Sequence, residues 1–273
     1  MSTDPDGVGR IAEAFARARA DGRAAALMPY MMGGYPDLET SRRIALAYAD
    51  AGADLVELGV PFSDPLADGP VIHAAATAAL DAGVTTDDVL GLAAELSARV
   101  PVILMCYVNA ILARGLERFV DRLAAAGVSG LIVPDLPLEE AGVARAACAA
   151  AGLAYVPLVA PTTPGSRLAA IGASASGFLY TVSVTGTTGE RGDRDGALET
   201  VIGRAAAATS VPVALGFGIS TPAQAVAAAA AGADGVIVGS RLVRAAGEGG
   251  DPPAAVGELV RQFAAALSGR PVG

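Results

Sequence analysis

The sequence predicts an α/β protein, a single-domain (β/α)8 barrel of the TIM type over residues 1–273 with an extra helix ahead of the first strand. Three observations carry this. Short apolar runs recur eight times, Ala-rich segments separate them, and an Ala-Gly phrase closes several of those segments just before the next run. Strands alternating with helices build a parallel sheet, and 273 residues suit a fold that takes about 250.

The elements follow in order. A helix near Ile11–Ala20 precedes the first strand and should cover the barrel floor. The strands are expected at Leu27–Met32, Leu55–Val60, Val102–Tyr107, Leu131–Pro134, Tyr155–Val159, Phe178–Ser183, Val213–Phe217 and Val236–Val238. Ala51-Gly52, Ala126-Gly127, Ala151-Gly152 and Ala231-Gly232 stand before four of them, each glycine ending a helix in a left-handed turn. A doubly wound open sheet shows the same alternation, because periodicity does not establish closure; length and strand count favour the barrel. No linker or shift in composition divides the chain.

Composition narrows the chemistry. The hydrophobic fraction of 53% is rich in Ala, which points to helices rather than to a membrane. A long charge-free apolar stretch, Ala146 to Ser166, is broken by Gly152, Pro157 and Pro161. The acidic, polar start (Met1 to Gly7) lacks a signal pattern, so a cytoplasmic protein is expected. A net charge of −9 argues against nucleic acid. Cys106 and Cys148 follow no metal or redox spacing and read as reduced, buried fillers. All 19 basic residues are Arg, which rules out a lysine Schiff base and a phosphate-loop lysine. With His73 the only histidine, a His/Cys zinc site has no ligand set, and a Ser-His-Asp site would have to use His73. No metal site is expected. Carboxylates, tyrosines and backbone dipoles remain for proton chemistry.

The most informative stretch runs from Glu57 to Pro70. Glu57 lies near the end of an apolar strand, and Asp68 lies on the loop that leaves it. Catalytic groups collect at such junctions. A carboxylate in an apolar strand is costly unless it is paired, hydrogen-bonded or kept for chemistry. Glu57 is thus either a catalytic acid or a buried acid satisfied by a distant Arg. Asp68 is either its partner or a cap for the helix starting near Pro70.

Further along, Gly216-Phe217-Gly218-Ile219-Ser220 and Gly239-Ser240 follow the last two strands, where barrels often bind phosphate on backbone N–H groups. Tight turns alone are the plainer reading. The polar, Gly-rich segment Thr185 to Asp193 reads as a lid over the barrel mouth or as a solvated linker.

Taken together, Glu57 through Pro70, Gly33-Gly34-Tyr35-Pro36, Pro134-Asp135-Leu136-Pro137, Thr187-Thr188-Gly189, Gly216 through Ser220 and Gly239-Ser240 resemble the tryptophan synthase alpha subunit family over essentially the whole chain, in order. The resemblance implies a lyase that cleaves indole-3-glycerol phosphate to indole and glyceraldehyde 3-phosphate. It implies Glu57 as the acid/base at the indole carbon and Asp68 as the carboxylate holding the indole N–H. Tyr107, Tyr180, Thr188, Phe217 and Ile237 would line the substrate pocket, and Gly189, Gly218, Gly239 and Ser240 would hold the phosphate. It further implies a beta subunit partner in an alpha2-beta2 heterotetramer, with Pro61 and Asp64 at the contact. Pyridoxal phosphate would belong to that partner, and no cofactor to this chain. Two residues depart from the family pattern: Met32 stands where Thr is usual, and His73 where Gln is usual. A stand-alone lyase releasing indole and a non-catalytic activating subunit are the alternative readings.

Overall fold

The computed structural model describes residues 5–183 and 194–269. It opens with α1 (Gly7–Ala20), whose N-terminus is capped by the Asp6 carboxylate accepting from Gly9 N–H at 2.8 Å. The strands are β1 (Ala26–Met32), β2 (Val56–Gly59), β3 (Val102–Met105), β4 (Gly130–Ile132), β5 (Ala154–Tyr155), β6 (Leu158–Val159), β7 (Leu179–Val182), β8 (Val213–Gly216) and β9 (Gly235–Val238). Between and after them lie α2 (Leu38–Asp50), α3 (Pro70–Asp81), α4 (Thr86–Ser97), α5 (Val108–Leu112), α6 (Leu116–Ala125), α7 (Gly142–Ala150), α8 (Gly165–Ser174), α9 (Arg194–Ala206), α10 (Pro222–Ala230), α11 (Ser240–Ala246) and α12 (Pro252–Leu267). Among the described residues no helix is long and apolar enough to cross a membrane.

All strand pairs are parallel, in the order β5-β4-β3-β2-β1-β9-β8-β7-β6. The two ends of that order, β5 and β6, are separated only by Val156 and Pro157. Val156 N–H donates to the Leu131 carbonyl at 2.9 Å, on the β4 side. The Pro157 carbonyl accepts from Tyr180 N–H at 3.1 Å, on the β7 side. The ring is therefore closed, and the open-sheet alternative falls. The expected strand Tyr155–Val159 is one barrel strand in two pieces, because Pro157 has no N–H with which to continue a ladder.

Along each strand the side chains alternate between two cores. Leu27, Met31, Val56 and Leu58 face outward against the helices. Met28, Tyr30, Leu55, Ile103 and Tyr180 face inward. Glu57 shares the inward phase of Leu55. Below this interior lies α1, as the sequence predicts, with Ile11 and Phe15 buried and the Phe15 and Phe178 rings 6.1 Å apart. Outside, α12 packs against both α2 and α10.

The repeated Ala-Gly-Ala-Asp phrase does the same work twice. Gly52 and Gly232, at φ 97° and 99°, turn the chain out of a helix. Asp54 then donates its N–H to the Leu27 carbonyl at 2.9 Å and accepts from Leu27 N–H on its carboxylate at 2.8 Å. Asp234 repeats the pattern on Val213, at 2.8 and 2.9 Å. Arg23 neutralises the buried Asp54 at 2.7 Å.

Arg10 fixes the floor. Its guanidinium donates to the Gly127 carbonyl at 2.9 Å, to the Val100 carbonyl at 3.5 Å and to the Ser97 carbonyl, joining α1 to the chain ends of α4 and α6. Charge-assisted hydrogen bonds of this kind contribute about 2 kcal/mol. Arg10→Ala should lower the unfolding free energy by roughly that amount, read as a lower denaturant midpoint at unchanged slope. An unchanged midpoint would show that α1 is held by its apolar face alone.

Candidate active site

Glu57 is 3% exposed, and neither of its carboxylate oxygens has a hydrogen-bond partner among the described residues. No Arg among the described residues reaches it, so nothing among them supports the distant-Arg reading. Burial, and next the charge of Asp68, push its carboxyl up to about 8. A group placed this way holds its proton at neutral pH and can release it just above.

Asp68 does not cap α3. Gly69 holds that position, with no side-chain cap. Partial burial raises the Asp68 carboxyl above its ordinary value, opposed by the Tyr107 hydroxyl from which it accepts and by His73 nearby. The two acids thus occupy unlike settings, Glu57 dry and unpaired, Asp68 half-buried and hydrogen-bonded.

One cavity of about 360 Å³ at the carboxyl ends of the strands collects most of the expected site. Glu57, Asp68, Tyr180, Phe217, Ile237, Gly218, Gly239 and Ser240 line it. Tyr107 does not. It stands behind the loop, its hydroxyl accepting Ala67 N–H at 3.1 Å and its ring stacked on Phe62 at 5.1 Å. Burial raises the Tyr107 hydroxyl to about 12, so it remains a donor toward Asp68. Thr188, Gly189 and the expected lid over Thr185 to Asp193 lie outside the described residues. Pro61 is buried, whereas Asp64 is exposed. Met32 is buried in the inner core and does not line the cavity. His73 is exposed on α3, in keeping with a surface residue. Both cysteines are free and buried, with thiols pushed up to about 12 by burial.

Sequence reasoning missed Tyr30 and Arg241, which also line the cavity, as does Ser220 of the expected phosphate loop. Tyr30 pairs in register with Glu57. A Cβ at Gly59 would overlap the Tyr30 hydroxyl, and one at Gly216 would overlap the Tyr180 hydroxyl. The signal was a glycine two residues beyond the position paired with each tyrosine. Phe217 is non-glycine at φ 63°, a conformation found where a ligand site needs it. This turn carries its ring edge-on to Tyr180, 6.1 Å away.

Two larger hollows, of about 510 and 600 Å³, lie outside the barrel beside β5 and β6. Their acids are engaged locally, Asp6 as the cap of α1 and Asp135 accepting from Val108 N–H at 2.9 Å. Among the described residues no group of three His, Cys, Asp or Glu could hold a metal ion.

A closed barrel with two acids in unlike settings at one mouth has the form of a barrel enzyme. The family model for the tryptophan synthase alpha chain matches residues 15–266. A tryptophan synthase alpha chain from Prochlorococcus marinus is 51% identical over 236 residues, 86% of each chain. One from Synechococcus elongatus is 47% identical over 264 residues, covering 96% of this chain and 98% of that one. The structure of Mycobacterium tuberculosis tryptophan synthase superposes with a TM-score of 0.87 at 38% identity, covering 99% of this chain and 100% of that one. The chain belongs to the tryptophan synthase alpha chain family and is a carbon–carbon lyase of tryptophan biosynthesis.

The dry setting of Glu57 has a measurable cost. Its folded value of about 8 lies above the ordinary 4.5, so the folded state binds the extra proton between those values. Stability contributed by this site is full below about 4.5 and is lost as pH rises toward 8. Glu57→Gln removes that slope. Its melting temperature should exceed that of the parent by a margin that grows from pH 5 to about 8 and then levels off. A margin independent of pH would contradict the raised value.

Proposed function

We propose that the chain cleaves indole-3-glycerol phosphate by a retro-aldol reaction in this cavity, with Glu57 as acid and then base and Asp68 as the ionised partner. The observation that carries the reading is the unpaired, buried Glu57 with its carboxyl near 8, beside an acid in a different setting. Two acids in unlike settings can divide acid and charge-stabilising roles between them. With no lysine to form an imine, the indole ring itself must accept electrons.

The protonated Glu57 gives its proton to the indole carbon that bears the glycerol chain, and positive charge develops on the ring nitrogen. Asp68 accepts the N–H and stabilises that charge. The Glu57 carboxylate then takes the proton of the neighbouring glycerol hydroxyl. The carbonyl forms, the carbon–carbon bond breaks, and its electron pair restores the aromatic ring. Indole and glyceraldehyde 3-phosphate leave, with Glu57 again protonated. Tyr180, Phe217 and Ile237 give the ring an apolar bed, while Gly218, Gly239 and Ser240 offer donors to the phosphate. Thr188 and Gly189 are carried over from the family pattern alone.

Glu57→Gln should lower cleavage by about 10²–10⁴-fold or more while the product glyceraldehyde 3-phosphate still binds. Asp68→Asn should lower kcat more than it raises KM, because its charge matters most in the transition state. In the parent enzyme kcat/KM should fall as pH rises past about 8, where Glu57 loses the proton it must donate. A Gln variant with parental rate would remove Glu57 from the chemistry.

We further propose a beta subunit as partner, in an alpha2-beta2 assembly within the cytoplasm. Pyridoxal phosphate would be that subunit's cofactor. The loop from Pro61 to Asp68 joins catalytic Glu57 to an exposed tip, where Asp64 faces solvent and Leu66 is 85% exposed. Because Pro61 is buried, its part in the contact is to shape the loop. Asp64→Ala should leave basal cleavage intact and lose most of the activation given by a cognate beta subunit. Sedimentation and rate assays of the mixture check this. Neither complex nor activation would favour a stand-alone lyase.

A further inference from the structure

We propose that Arg241 is the cationic contact for the phosphate of the substrate, a binding residue beyond the backbone cradle. The proposal rests on the reading of this cavity as the indole-3-glycerol phosphate site. Arg241 lines the cavity beside Gly218, Ser220, Gly239 and Ser240, and it is the single cation among the described residues that line it. Two acids share the lining, Glu57, which keeps its proton near neutral pH, and Asp68. A phosphate monoester brings a charge of about −1.5 to −2 at pH 7. Bringing that charge beside Asp68 is unfavourable without a compensating cation. Backbone N–H groups supply only partial charge, and the chain has no lysine to help.

The position itself argues for an anion in front of it. Arg241 is the second residue of α11, where the helix dipole disfavours a positive side chain. No acid among the described residues relieves that. Other arginines of the chain are engaged: Arg23 with Asp54, Arg42 with Glu95, Arg99 with Asp50, Arg167 with Glu139. Arg241 is half-buried and makes no hydrogen bond or ion pair among the described residues. A guanidinium offers a planar fork that matches two phosphate oxygens, which an ammonium does not.

The test compares the parent protein with Arg241→Gln and Arg241→Lys. Calorimetric titration with inorganic phosphate and with glycerol 3-phosphate gives affinity, and cleavage assays give KM and kcat separately. Arg241→Gln should weaken glycerol 3-phosphate on the order of tenfold, raise KM by a similar factor and lower kcat much less. It should also flatten the salt dependence of phosphate binding. Arg241→Lys should recover part of the affinity. Affinity for the phosphate-free indole-3-glycerol should stay within about twofold of the parent. Parental affinity and KM in the Gln variant would overturn the proposal, as would an equal loss toward the phosphate-free compound. A parent protein that binds neither phosphate compound would remove the reading of the cavity and this proposal with it.

Discussion

Closure of the ring between β5 and β6 is the constraint on which every other feature depends. A sheet that stayed open at Val156-Pro157 would have no interior, and residues of the inward phase would face water or a helix. Because the strand changes partners at Pro157, from β4 to β7, the inward positions of all strands converge on one axis. Arg10 and the apolar face of α1 then shut one end. The other end is left as the sole mouth of the interior, and Glu57 stands just inside it.

That position explains the chemistry better than residue type does. A glutamate on the outer phase of β2 would sit in the helix-facing core, and one on a loop would be solvated and ordinary. On the inner phase, near the mouth, Glu57 is dry enough to keep a proton yet close enough to a cavity to transfer it. Its missing hydrogen bonds are a standing cost in stability that the surrounding fold offsets, as is common at functional sites. Asp68 reaches the same cavity from a loop, and so carries its own hydrogen-bond partner.

Most of the fold was legible in the residues. Apolar runs and helix-closing glycines located the strands to within a few residues, since both signals are local. The split at Pro157 was not legible, because a proline in a strand does not say whether the strand ends or changes partner. Glu57 stood out because an acid in an apolar strand is unusual, whereas Asp68 sits in ordinary turn chemistry and was legible only by its nearness to Glu57. Their settings were not legible, because the lack of an Arg partner among the described residues and the grip of Tyr107 on Asp68 are tertiary facts. Tyr30 and Arg241 were passed over for the same reason. Each looks ordinary in its own segment and becomes informative only beside Glu57 or Gly218.

Tyr107 shows how a residue can matter to a site without lining it. The loop from Pro61 to Gly69 has no regular structure and few internal bonds. Its inner half is hung on Tyr107, through Ala67 N–H on the phenol oxygen, Asp68 on the phenol proton and Phe62 stacked on the ring. Tyr107 itself is buried at the end of β3, next in the ring to β2. The two acids are therefore referenced to neighbouring strands, Glu57 directly and Asp68 through one phenol. Glu57 is thus held by its own strand, whereas Asp68 is held by a loop tied to the next one, with the tip at Asp64 and Leu66 left exposed.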